Sequence, residues 1–371
     1  MTDRRILYVV SEPWYFANHR LDHARGLIAA GFDVHVATRS GDRFDEIADA
    51  GCTMHELAVD RGSSGVRSLF AEIRELRKIV RAQRPQIVHA VALKPVAVTM
   101  PLIAMWRRPA LILSVNGLGI SAAESSRGLT AFRTVLGLVG RLPRVELLFQ
   151  TMNDRRAVVA DRATGTLIPG VGVDLDRFTP STDLDDGPPL RVAYLGRAVR
   201  SKGLTDLADA AHDPRLAELG IEIHAYCAHD ESSPGSLSAA ELSEVAAAPA
   251  LTVHEPTRDP AGVLARSHAA VLPSRAGEGV SKFVLESFAS ATPILLSRES
   301  GSAEVVEHGV NGITFTAGDP SAIADALVEF AEWSPAKRSE VATACRRLAE
   351  DRYGLNVIVP AIVELHERLL G

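Results

Sequence analysis

Short runs of aliphatic and β-branched residues alternate almost from end to end with longer stretches whose apolar positions recur every three or four residues. In the first half, Ile6–Val10, Asp33–Ala37, Ile87–Ala90, Leu111–Val115, Glu146–Gln150 and Thr166–Ile168 read as strands. Asn18–Ala30, Val66–Arg84, Val96–Trp106, Leu129–Arg141 and Asn153–Asp161 read as helices between them. This alternation predicts βα units joined by right-handed crossovers around a parallel sheet. TPSTDLDDGPPL, residues 179–190, breaks the pattern with Pro, Ser, Asp and Gly and reads as a linker. The pattern then restarts. Strands are expected at Leu190–Leu195, Glu222–Tyr226, Leu251–His254, Ala269–Leu272, Ile294–Leu296 and Gly312–Phe315, with helices near 202–211, 239–247, 259–267, 281–290, 301–307 and 319–332. The expected fold class is α/β: two doubly wound, Rossmann-like parallel-sheet domains facing across a cleft. Open sheets of this kind bind ligands at the carboxyl ends of their strands.

Composition narrows the partners. The 371 residues are 46% hydrophobic and 23% charged, enough for two substantial cores. A net charge of −6 argues against a nucleic-acid partner. Cys52, Cys227 and Cys345 stand singly, as small buried apolar residues of a reduced compartment do. The apolar run at the N-terminus is too short for a signal peptide and is followed at once by Glu12 and Pro13. No segment offers about twenty unbroken apolar residues. A cytoplasmic location is expected.

The chemistry concentrates in the second half. LGRAVRSKGL, residues 195–204, ends a strand with Gly196, which permits a tight turn, and sets two cations, Arg197 and Lys202, over the crevice. Two cations before a helix start suit a diphosphate, although a solvated basic loop has the same pattern. In GEGVSKFVLE, residues 277–286, the apolar spacing of Phe283, Leu285, Phe288 and Ala289 places a helix start near Val280–Ser281. Free N–H groups of Gly279, Val280 and Ser281 are then expected to face an anion. Glu278 precedes the helix and Glu286 lies about 7–8 Å further along its axis. That span matches the distance from a diphosphate to a ribose, whose diol a carboxylate accepts in a bidentate manner. A helix with an unrelated acid on each side is the plainer alternative.

GRAVRSKGL, LPSRAGEGVSKFVLESFASATPILLS and GSAEVVEHGVNGITF together resemble the retaining GT-B glycosyltransferases of family 4. The E-x7-E pair corresponds to Glu278 and Glu286, and the basic pair to Arg197 and Lys202. In the first half, SEPWYFANHRLDHARGLIAAGFDVHVAT, HAVALKP, VNGLGI and FQTMNDRRAV followed by IPGVGVDLDRF are similar to bacterial transferases of capsule, O-antigen and exopolysaccharide assembly. Thr151 and Ser287 depart from that branch, where Asn and Ala are usual.

The resemblance implies an acceptor-binding domain at 1–175, a linker at 176–189, a nucleotide-sugar-binding domain at 190–355 and a C-terminal helix at 356–371 crossing back to the first domain. It implies transfer from a nucleotide sugar, a UDP-sugar above all, with retention, to a glycan or a polyprenyl-diphosphate-linked sugar. Glu278, Arg197, Lys202 and His89 are the implied catalytic residues, with His89 facing the donor sugar; a satisfied core histidine is its alternative. Gly196, Gly279, Val280, Ser281 and Glu286 join the basic pair in holding the donor, and Pro256, in the loop HEPTRD, is expected near the base. Acceptor residues are expected among Trp14, His19, Arg20, Lys94, Asn116 and Gly117. Trp14, Tyr15 and Phe16 would then sit in a loop before a helix starting near Asn18. No metal or further cofactor is implied. Residues 130–144 mix Arg133, Arg141 and Arg144 with Leu, Val and Phe, which suits peripheral contact with the inner face of an anionic membrane or a core-packed helix. Other readings on the same architecture are a nucleotide-sugar 2-epimerase and a non-catalytic nucleotide-sugar-binding protein.

Overall fold

The computed structural model describes residues 4–57, 66–105, 109–115, 117, 127–159, 164–181, 184–185, 187–229, 235–275 and 279–370. The chain forms two compact units. One gathers Met1–Leu118, Ala122–Val171 and Leu355–Gly371; the other contains Gly172–Gly354.

Seven parallel strands of the first unit are described: β1 Arg5–Val9, β2 Asp33–Thr38, β3 Thr53–Glu56, β4 Ile87–Val91, β5 Ala110–Val115, β6 Val145–Phe149 and β7 Thr166–Leu167. Their order is β3-β2-β1-β4-β5-β6-β7. Strand β1 pairs with β2 on one side and β4 on the other, so the chain reverses its direction of winding between β1 and β4. The central strands β1, β4 and β5 are buried on both faces because helices cover both, hence their continuous apolar runs. One face packs Leu76, Val80, Val96 and Leu136 against the sheet. The other packs Phe16, Leu27 and Ile47 together with Ile358, Ile362 and Leu365 of the helix Leu355–Leu370.

The second unit repeats the plan with six strands: β8 Leu190–Arg197, β9 Ile221–Ala228, β10 Leu251–His254, β11 Ala269–Leu272, β12 Ile294–Ser297 and β13 Gly312–Phe315. Their order is β10-β9-β8-β11-β12-β13, with the reversal between β8 and β11. Phe178, from the stretch before β8, is buried against Phe283, Val284 and Phe288. The three cysteines are free and buried.

Three local expectations change. Proline at the first helical position starts a helix at Pro13, so Trp14, Tyr15 and Phe16 lie in the helix Pro13–His19 and not in a loop. The expected helix 18–30 is split at Arg20, whose φ of −134° leaves the helical region, and resumes as Leu21–Ala29. Strand β3 and the helix Pro335–Leu348 had no counterpart in the hydrophobic pattern.

The helix Leu355–Leu370 is fastened to the sheet by a chain of hydrogen bonds. His366 Nδ1 lies 2.7 Å from the Ile362 carbonyl, which only accepts, so that nitrogen carries the proton. His366 Nε2 therefore accepts from His89 Nδ1 at 3.2 Å, and His89 Nε2 accepts from the Ser114 hydroxyl at 2.7 Å. A proton added to the His366 ring would set two N–H donors face to face, at His366 Nε2 and His89 Nδ1. Burial holds His366 down at about 4, and burial followed by the charges of His366 and Arg20 holds His89 well below the ordinary imidazole range. Because these folded-state values lie below the unfolded 6.5, the stabilisation is complete above about pH 6.5 and is lost as pH falls toward 4, by about 1.4 kcal/mol per pH unit for each ring. We expect the stability advantage of the wild type over His366→Phe, measured by urea unfolding, to hold nearly constant from pH 7.5 to 6.5 and to shrink from there to pH 5. Parallel curves would show that the ring carries no such linkage.

Candidate functional site

The strand order reverses between β8 and β11, and doubly wound sheets hold ligands at the carboxyl ends of the strands that flank such a reversal. The loops leaving these two strands are tied to each other. After β8 the chain makes a single 3-10 turn at Arg200–Lys202 and leaves it through Gly203, at φ +71°. A Cβ at Gly203 would stand 2.0 Å from the carbonyl oxygen of Pro273, the residue after β11, so only glycine fits. The Arg275 N–H donates to the Ser201 carbonyl at 2.8 Å, and its guanidinium forks onto Asp206, with Nε 2.7 Å from Oδ2. The basic turn is thereby pinned beside the segment that leads to the helix Lys282–Ala289.

Arg197, the last residue of β8, and Lys202, the last of the turn, are both half-buried in these loops. Tyr194 arches back so that its hydroxyl lies 3.4 Å from the Arg197 carbonyl, and a Cβ on Gly196 would meet that hydroxyl at 2.9 Å. Val280 is buried in the core below and anchors the helix entry.

Ser281 caps the helix Lys282–Ala289 in an extended conformation. Its N–H was expected to face an anion; it donates instead to Ser302 Oγ at 2.8 Å, and that hydroxyl lies 3.4 Å from the Gly279 carbonyl. Ser302 therefore consumes one of the three expected amide donors and fixes the loop's shape. It belongs to the motif GSAEVVEHG, whose role sequence reasoning left open.

Glu286 lies on this helix with only 8% of its surface exposed. Lys282 Nζ, one turn back, is 3.7 Å away, too loose to offset burial. Desolvation raises the carboxyl to about 7, against the opposing charges of Lys282 and Arg177. Glu278 and Gly277 lie outside the described residues. Pro256 is exposed in the loop after β10, two strands from β8 or about 10 Å across the sheet.

In the first unit most candidate acceptor groups already have partners. His89 is fully buried, stacked on Tyr8 with ring centroids 4.6 Å apart, and both its nitrogens are engaged. This is the satisfied core histidine, not a side chain facing a sugar. Arg20, expected to reach an acceptor phosphate, is 3% exposed and donates to the His19 carbonyl at 2.9 Å. Its charge helps, after desolvation, to hold His23 down at about 3. Lys94 pairs at 3.0 Å with the buried carboxylate of Glu72. The Gly117 N–H donates to Asp154 Oδ2 at 3.0 Å, and Thr151 Oγ1 caps the following helix by accepting from the Asp154 N–H. Trp14 is half-buried and packs edge-on to Tyr15, whose ring lies against His19. Asn116 lies outside the described residues. Among the described residues, no group of three or more His, Cys, Asp or Glu is gathered as for a metal, and no helix is long and apolar enough to cross a membrane.

Comparison with known proteins matches this geometry. Residues 5–142 fit the family described as glycosyl transferase 4-like, and residues 189–332 fit glycosyl transferases group 1. WcaL of Escherichia coli (strain K12), a glycosyltransferase assigned to colanic acid biosynthesis, is 24% identical over 208 residues, or 54% of this chain and 50% of WcaL. The match thus spans about half the length of that curated relative. Among solved structures, a glycosyltransferase from Rickettsia africae ESF-5 superposes with a TM-score of 0.78 at 13% identity, covering 100% of this chain and 99% of its own. Sucrose-phosphate synthase of Thermosynechococcus elongatus gives 0.80 at 17%, covering 99% of both chains. HepE of Anabaena, in complex with UDP-glucose, gives 0.76 at 16%, covering 98% of this chain and 99% of its own. At these identities the likeness establishes the fold, two Rossmann-like parallel-sheet domains of the GT-B type. The chain belongs to the GT-B glycosyltransferases of family 4.

Two outcomes follow from the packing. Gly203→Ala, which drives a Cβ into the Pro273 carbonyl at positive φ, should destabilise the second unit by about 2 kcal/mol or more in urea unfolding; an unchanged midpoint would contradict the close approach. Glu286 is held above its unfolded value of 4.5, so its burial is harmless below about pH 4.5 and increasingly costly as pH rises through 7. Glu286→Gln should therefore gain stability over the wild type at pH 8, up to roughly 3 kcal/mol, with a much smaller gain at pH 5. A gain independent of pH would show that ionisation is not its source.

Proposed function

We propose that this protein is a retaining glycosyltransferase that moves a sugar from a UDP-sugar to a glycan or polyprenyl-diphosphate-linked sugar in the synthesis of a cell-surface polysaccharide or glycoconjugate. The observation that carries the reading is the pinning of the turn that follows Arg197 and ends in Lys202 beside the loop and helix that lead to Glu286, at the reversal point of a doubly wound sheet. A pyrophosphate held there would be met by two cations, with Glu286 further along the helix to accept the ribose diol. The UDP-glucose complex of HepE, a protein of the same fold, supports a uridine donor.

In the proposed reaction the bond from the anomeric carbon to the phosphate oxygen breaks as the acceptor oxygen bonds to that carbon on the same face. The acceptor's proton passes to the departing phosphate. Arg197 and Lys202 stabilise the charge that grows on the diphosphate, and Glu278 orients the sugar hydroxyls. His89, buried and fully bonded, positions the strand in which it sits and takes no direct part. Peripheral contact with an anionic membrane belongs to the same proposal. It is supported by the exposure of Val135, Leu138 and Leu142, at 47%, 57% and 39%, beside the exposed Arg141 and Arg144.

The test is a panel of nucleotides and nucleotide sugars read by thermal shift, with product configuration read by NMR. UDP should stabilise the protein and GDP should not. Loss of a charge-assisted contact costs about 1.5–3 kcal/mol, so Arg197→Ala and Lys202→Ala should each weaken UDP binding by about 10- to 100-fold. Unchanged UDP affinity in both variants, or an inverted product, would overturn the reading.

A further inference from the structure

A cavity of about 1040 Å³ lies in the first unit at the opposite end of its sheet from the reversal point. Its wall includes Gln86 just before β4, Pro109 just before β5 and Arg144 just before β6, together with the last turns of the helix Val66–Gln83. Among the described residues that line it, four are arginines, Arg77, Arg81, Arg84 and Arg144, and none is acidic. The helix's terminal carbonyls favour cations at Arg81 and Arg84. They do not account for Arg144, which arrives from a separate loop.

Two polar atoms here are buried without a hydrogen-bond partner, Arg77 Nε and Gln86 Oε1. Arg77 is steadied by a bond from Nη2 to the Pro101 carbonyl at 3.1 Å. The Gln86 amide, turned over, presents its NH₂ in place of the oxygen. Arg84 and Arg144 both adopt left-handed backbone, at φ +47° and +62°, where glycine or asparagine is the easy residue. A guanidinium is thus carried at each despite the strain.

We propose that this cavity is an anion-binding site, separate from the crevice of the second unit, for a ligand bearing two or more phosphate groups. Arginine forks pair with phosphate oxygens in a bidentate manner, and several converging forks favour a polyanion over a single charge. A soluble phosphate compound and a phosphorylated lipid headgroup present the same chemistry, and the experiment separates them.

The test uses Arg81→Gln/Arg84→Gly in the full chain. Residue 81 is exposed on a helix, and glycine relieves the left-handed strain at 84, so the fold is expected to survive. Calorimetric titration with inorganic tripolyphosphate at about 50 mM salt should show a site whose affinity drops at least tenfold in the variant and falls with added salt. Arg197→Ala should retain that site, and the double variant should retain its thermal shift with UDP. Vesicles of anionic and of neutral phospholipid form the second arm. Variant-sensitive binding to anionic vesicles without tripolyphosphate binding identifies a lipid headgroup; the reverse identifies a soluble ligand. Binding of neither probe, or equal binding by wild type and double variant, overturns the proposal.

Discussion

The second unit's crevice depends on one steric contact, the approach of Gly203 to the carbonyl of Pro273. It lets the loops that leave β8 and β11 lie against each other, and the bonds from Arg275 to Ser201 and Asp206 then hold them there. Without it the cations of residues 197–202 and the helix of residues 282–289 would be presented independently. With it they form a preorganised surface whose geometry is set before any ligand arrives. Such preorganisation is the main route by which fixed dipoles and charges act on a diphosphate more strongly than water does.

Both units bury titratable groups, with opposite sense. In the first, neutral imidazoles form a one-directional hydrogen-bond chain from Ser114 through His89 to His366, and burial excludes the proton. In the second, burial retains a proton on Glu286 near neutrality. One arrangement opposes protonation and the other opposes ionisation. The first fastens an element of the fold. The second keeps a carboxyl poorly solvated, so that a hydroxyl pair offered to it replaces little bound water.

Much of the scaffold was legible because its strands are buried on both faces. Ala269–Leu272 and Gly312–Phe315 stand out as short buried runs bounded by turn residues, and the pattern places them at their observed limits. Thr53–Glu56 does not, because both its ends are exposed at the sheet edge and no apolar run marks it. The hydrophobic period is blind to one residue leaving helical φ, as Arg20 does. Site details resisted for another reason: their partners are distant along the chain. The Ser281 amide is claimed 21 residues away by Ser302, and the Gly117 amide 37 residues away by Asp154. Which way His89 faces is decided by His366, 277 positions later. Local spacing carries no information about such pairings.

The helix Leu355–Leu370 supplies Ile358, Ile362 and Leu365 to the core of the first unit, yet it follows the whole of residues 172–354 in the chain. On the ribosome, therefore, the amino-terminal lobe stays unfinished while its neighbour is translated, its apolar flank open to the surroundings until the last segment emerges. The usual order, in which the leading domain matures first, does not hold for this topology. A stop within residues 172–354 would leave the first unit without Ile358, Ile362 and Leu365 although the break lies in the second.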